Sequence, residues 1–167
     1  MGLASRINGL AGGNNPAALG HRVRRVGLAA DLTAVATFNI FQVSGGDVML
    51  TGFYGKVTTL IGGGAATLIL THTPTGGAAN AMCATSISIA ADAVNTIYTW
   101  DGTLAGVLQP LGVAAVGVGN CVASFATAFN ILVPGIMGVA VAVVSTGVID
   151  WILHYIPLDT DSVVVAV

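Results

Sequence analysis

The stretch Gly102–Ile149, GTLAGVLQPLGVAAVGVGNCVASFATAFNILVPGIMGVAVAVVSTGVI, holds forty-eight residues and no charge. A helix crosses a bilayer with about 20 apolar residues, so length alone would suggest membrane spans. The residue types argue otherwise. Val and Thr are stiff at χ1 and suit a pleated surface, while Pro110, Pro134 and repeated glycines break any long helix. Even the best span, Ile131 to Ile149, contains Pro134 and three glycines. The stretch therefore reads as strands and turns. Cys121–Ile131, rich in Ala, is the one place where a short helix is an alternative.

Working outward, Val148–Ile156 is the clearest strand. Ile149, Trp151, Leu153 and Tyr155 alternate with Asp150, Ile152 and His154, so a one-residue slip would turn Asp150 into the core. Pro157 has no amide hydrogen and ends the ladder. Ser145-Thr146-Gly147 would turn this strand back on Ile136–Val144, and Val163–Val167 would close an edge. Toward the N-terminus, Val35–Val43 and Val48–Thr59 flank Ser44-Gly45-Gly46-Asp47, which predicts a hairpin. Thr67–Thr73 places Leu68, Leu70 and His72 opposite Thr67, Ile69 and Thr71. Period two over Met82–Ile89 predicts another strand. Asn95–Trp100 and Thr103–Leu108 flank Asp101-Gly102, a strong two-residue hairpin signal. With Val113–Val118 and Cys121–Val133, the count is nine to ten strands. The expected fold is an all-β antiparallel β-sandwich (35–167) preceded by an extended, basic N-terminal arm (1–34).

Composition bounds the function. Only 7% of the 167 residues are charged, there is no Glu, and 54% are hydrophobic. Ordinary soluble domains carry roughly 25% charged residues. A chain this poor in charge has too little to keep its surface solvated as a lone monomer. The charge is also segregated. Arg6, Arg22, Arg24 and Arg25 give the first 25 residues +4, while seven acids and Lys56 give the rest −6. Such asymmetry signals a partner, and an acidic protein surface fits it better than nucleic acid, because no aromatics interleave the arginines. Arg24-Arg25 followed by VGLAADLTAVA imitates a secretion signal, but Asp31 interrupts its apolar run.

Chemical motifs are missing. Gly62-Gly63-Gly64 lacks the Gly-Lys-Ser/Thr of a phosphate loop, and Gly117-Val118-Gly119 is a fragment of a dinucleotide fingerprint without its context. Cys83 and Cys121 have no Cys or His at zinc-ligand spacing and read as buried thiols, with a disulfide between them as the alternative. Asp150 and His154 share a strand face, yet the strand rise separates them by about 13 Å. They read as a polar or intersubunit face. Lys56 reads as solvated. No catalytic residue, metal site or cofactor is expected, and the chain does not read as an enzyme. Trp100, Trp151 and Tyr155 are expected as core or oligomer-interface anchors.

Phe38–Thr59 (FNIFQVSGGDVMLTGFYGKVTT) resembles the opening strand–turn–strand of small virion structural proteins of tailed bacteriophages. Gly147–Val167, with Trp151 and Tyr155-Ile156-Pro157-Leu158-Asp159, is similar to their C-terminal strand, and Asn95–Tyr98 matches in style. The resemblance is closest to head decoration, or cement, proteins. It implies a jelly-roll-like sandwich, a homotrimer, and attachment to the major capsid protein on the outer capsid surface. Arg6, Arg22, Arg24 and Arg25 would form the capsid-contact arm. A tail or fibre-base component is the alternative within the virion. A lysis pore built from residues 104–153 is the alternative of a different class, although no membrane partner is expected.

Overall fold

A computed structural model describes residues 20–100, 102–104, 108–111 and 130–167 of the chain. Eleven strands are described: β1 (His21–Arg25), β2 (Thr37–Ser44), β3 (Val48–Gly63), β4 (Leu68–Pro74), β5 (Asn80–Ala81), β6 (Ile97–Thr99), β7 (Gln109–Leu111), β8 (Asn130–Leu132), β9 (Gly135–Val141), β10 (Ser145–Pro157) and β11 (Val163–Ala166). They form two antiparallel sheets. Sheet A runs β1-β10-β3-β6-β7, with β8 also on β3, and sheet B runs β11-β2-β9-β4-β5. No described residue is helical, and no helix among them is long and apolar enough to cross a membrane. The all-β sandwich expected from sequence is the architecture observed.

The core lies between the sheets, and period-two alternation supplies it. Ile149, Trp151, Leu153 and Tyr155 of β10 are buried and face Ile40, Phe41 and Val43 of β2 and Met137, Val139 and Val141 of β9 within one cluster. On β4 the inward residues are Leu68, Leu70 and His72, as the pattern predicts. Trp151 stacks on Phe53 with ring centroids 5.5 Å apart. Trp100 is also buried, its indole N–H donating to the Thr103 carbonyl at 2.9 Å. All three aromatic anchors therefore sit inside the sandwich rather than on its surface.

Several local expectations differ from what forms. The Ser44–Asp47 turn joins β2 to β3, and the chain at Ser145 joins β9 to β10. In both cases the flanking strands belong to opposite sheets and do not pair. These turns are arches across the sandwich, not hairpins. Turn residues reverse the chain but do not dictate whether the two arms pair edge to edge or pack face to face. Ser145, Thr146 and Gly147 lie within β10 itself.

Asn95–Trp100 does pair with the next described strand, through Thr99↔Gln109, but the connection spans residues 100–108 instead of a two-residue turn. Asp101 lies outside the described residues, as do Val113–Val118, most of Cys121–Val133 with its helical alternative, and Cys121.

Met82–Ile89 is not a regular strand. It follows β4 through three backbone bonds, Met82 N–H to Leu70, Ser86 N–H to Leu68 and Ile89 N–H to Ala66. Side chains supply the return acceptors: Ser86 Oγ takes the Leu68 amide at 2.8 Å and Cys83 Sγ the Leu70 amide at 3.2 Å. Polar side chains bonding to nearby backbone replace the ladder here.

The sandwich also begins earlier than position 35. His21–Arg25 is an edge strand in register with β10, His21 opposite Tyr155 and Arg25 opposite Trp151. Leu32 is buried in the core. The signal-like segment after Arg24-Arg25 is thus built into the domain. Residues 1–19 lie outside the described residues.

Candidate functional site

Three basic residues, Arg22, Arg24 and Lys56, define one surface, the outer face of sheet A. Across β1, β10 and β3, Arg22 lies beside His154 and Gly52, Arg24 beside Ile152 and Tyr54, and Asp150 beside Lys56. Paired residues of a sheet point to the same side, so these groups share a face.

Two of the arginines are engaged inside the fold. Arg24 forms an ion pair with Asp150, with Nε donating to Oδ2 at 3.1 Å, and the Gly27 amide donates to the same carboxylate at 2.8 Å. Arg25 is buried. Its guanidinium pairs with Asp31, Nη2 to Oδ1 at 2.9 Å, its Nε donates to the Val167 carbonyl at 2.9 Å, and it lies over the Phe38 ring at 5.4 Å. One side chain thereby ties β1, β2, the turn at Leu28–Asp31 and the C-terminal end of β11 together. Arg22 and Lys56 stand exposed on the same face, and Arg6 lies outside the described residues.

The electrostatics follow from this placement. Burial pushes the Asp150 carboxyl up, but the Gly27 amide, Arg24 and Lys56 outweigh it and hold it below the usual carboxylate range. His154 is pushed down by burial and by the neighbouring Arg22 charge, and its Nδ1 is buried with no protein partner among the described residues. Asp150 is therefore committed to Arg24 and Gly27, while His154 neighbours Arg22. The two do not form an acid–base pair.

His72 faces the core at the far end of β4. Burial pushes it down, against a backbone hydrogen bond at Val133. Asp92 and Tyr98 form a buried pair, the phenol donating to Oδ2 at 2.5 Å. Burial raises Asp92, and burial with the Asp92 contact raises Tyr98. No group of three His, Cys, Asp or Glu side chains able to hold a metal ion occurs among the described residues.

What the surface does display is aliphatic. Fifteen large aliphatic side chains are exposed among the described residues, against five exposed charged ones: Arg22, Arg24, Lys56, Asp159 and Asp161. Sequence reasoning anticipated this imbalance but could not locate it. The edge of sheet B is guarded. Val164 N–H, on β11, donates to the Tyr155 hydroxyl at 3.2 Å, and Arg25 takes the Val167 carbonyl. The β11 edge, occupied this way, offers fewer groups for strand addition. No known protein family, curated protein or solved structure matches this chain.

Proposed function

We propose that this protein is a structural subunit of a virion, a decoration or cement protein that self-associates and binds the outer surface of a bacteriophage head. The observation that carries the reading is the three-to-one excess of exposed large aliphatic over exposed charged residues among the described residues of the sandwich. Exposed apolar surface beyond a few hundred Å² marks a contact surface. Burying ~1,000 Å² of it per subunit would contribute on the order of 25 kcal/mol before ordering costs, which consume much of that gain. Repeated over a shell, a small surplus per copy opposes outward pressure. The resemblance of Phe38–Thr59 and Gly147–Val167 to phage virion proteins supports the same reading, with the major capsid protein as partner and a homotrimer as the assembly.

Arg22 is the basic residue on the described surface best placed to meet an acidic capsid patch, since Arg24 and Arg25 hold internal ion pairs. Particles would show this directly. A copy number matching the shell lattice, with density on the outer head surface, supports the reading. A handful of copies at the tail would transfer the protein to the tail or fibre base, and absence from particles would overturn the assembly role.

A further inference from the structure

Five of the exposed aliphatics share one end of the sandwich. At the end of the sandwich where β2, β4 and β10 begin and β3 and β9 finish, Leu28 (57% exposed), Val35 (65%), Leu60 (56%), Val143 (42%) and Val144 (50%) stand in neighbouring segments. Backbone contacts hold their loops side by side: Val141 N–H bonds the Ala36 carbonyl at 2.9 Å and Ser145 N–H the Leu32 carbonyl at 2.8 Å. A Cβ on Gly64 would sit 2.9 Å from Val143, and one on Gly147 would sit 2.7 Å from the Leu60 carbonyl. The acids at this end, Asp31 and Asp92, are bonded inward to Arg25 and Tyr98. Between the aliphatics lie Ala, Gly and Thr.

The opposite end also exposes Leu104, Ile131, Val133 and Leu158, but Asp47, Asp159 and Asp161 stand in its loops, the last two exposed. The exposed cations, Arg22, Arg24 and Lys56, lie on the outer face of sheet A.

We infer that this end, which shows no exposed charge among its described residues, is the surface through which copies of this chain join, the same end of each copy turned toward a shared axis. This rests on the assembly reading above and names its contact. Charge decides the occupant. Two acidic ends would oppose carboxylates to carboxylates, and an acidic end on an apolar end would bury carboxylates without partners, which is costly. Like apolar ends meet without either penalty. Five half-exposed aliphatics present on the order of 400 Å² of apolar surface, the size of the largest, often functional, patch on a typical monomer. That is about half of the ~800 Å² a standard interface buries per partner, and the interleaved Ala and Thr surface extends it. A lipid surface is a poorer fit, because among the described residues this end has neither the Trp and Tyr of an interfacial belt nor exposed Lys or Arg for headgroups.

Sedimentation velocity on the full chain tests this, with Val35→Asp and Val144→Asp as separate variants and Val165→Asp, on the β11 edge, as control. The wild type and V165D should sediment as oligomers. Both end variants should shift toward monomer, with the dissociation constant raised by at least about tenfold and the β-sheet circular dichroism unchanged. Two substituted sites guard against misfolding of either one. Oligomers that survive both end variants but dissolve in V165D would overturn the end as the contact while leaving self-assembly standing. A wild type that stays monomeric and fails to bind heads would overturn the assembly reading with it. Flotation of the wild type, but not V144D, on neutral phosphatidylcholine vesicles would assign the end to lipid instead.

Discussion

Gly55 lies directly across the β3–β10 ladder from Trp151, and a Cβ on Gly55 would come within 2.6 Å of the indole Cζ3. The glycine is the space into which the largest core side chain folds, and Phe53 stacks beside the same ring. Gly55→Ala should overpack this position and destabilise the domain by about 1–3 kcal/mol, because close-packed cores accommodate added carbon poorly. Urea unfolding followed by Trp fluorescence measures it; an unchanged midpoint would mean that the indole can move aside.

Arg25 joins four segments through one guanidinium, and its pair with Asp31 is nearly excluded from solvent on both sides. Removing one partner leaves the other charge buried. Arg25→Met should cost about 3–5 kcal/mol. The double variant with Asp31→Asn should recover part of that loss, and a double-mutant cycle gives the coupling directly. Additive losses would show that the pair contributes only through packing.

Two histidines make the fold sensitive to mild acid. Burial holds both His72 and His154 below their ordinary value of 6.5, so near that pH the unfolded chain binds more protons than the folded one. Stability should therefore fall as pH drops below about 6.5 and level off beneath the folded values. Asp150 acts in the same direction but later, its contribution being lost only below the usual carboxylate value of 3.8. Melting temperatures from pH 7.5 to 5 should decline for the wild type and less steeply for His72→Leu. Parallel curves would remove His72 from the account.

Asp92 works the other way. Its carboxyl is raised by burial, so the folded state holds the proton more tightly and stability is lost as pH rises above 3.8 through the folded value. Asp92→Asn removes that charge while keeping an oxygen for the Tyr98 hydroxyl. It should equal or exceed the wild type in stability at pH 7 and lose its advantage toward pH 4. Tyr98→Phe should instead cost about 1–3 kcal/mol, because it leaves a buried carboxylate without its donor. Denaturant midpoints at the two pH values separate these outcomes.

The strand content was legible because alternation is local. Leu68, Leu70 and His72 point inward as spaced, and so do Ile149, Trp151, Leu153 and Tyr155. Less visible were the places where the alternation changes phase. In β3 the register steps from Leu50↔Tyr155 to Gly52↔His154, so Leu50 and Phe53 both face the core although three residues separate them. A similar irregularity between Asn39 and Phe41 lets Ile40 and Phe41 both bury. Bulges of this kind have weak sequence signatures. The basic residues were legible as a cluster but not as a mixture, since a string of arginines does not say which will meet an aspartate more than a hundred positions away.

From the sequence alone came the all-β character, the inward faces of the main strands and a surface short of charge, each a consequence of side-chain type and period two. Tertiary structure decided which strands became partners, that Trp100, Trp151 and Tyr155 belong to the core, and that Arg24 and Arg25 are neutralised at home. It also brought Val35, Leu60 and Val144 from three distant parts of the chain to one end. The physical reason is the range of the interactions. Alternation acts between neighbours along the chain, whereas pairing, burial and charge compensation depend on contacts across the sandwich, which turns such as Ser44–Asp47 permit without specifying.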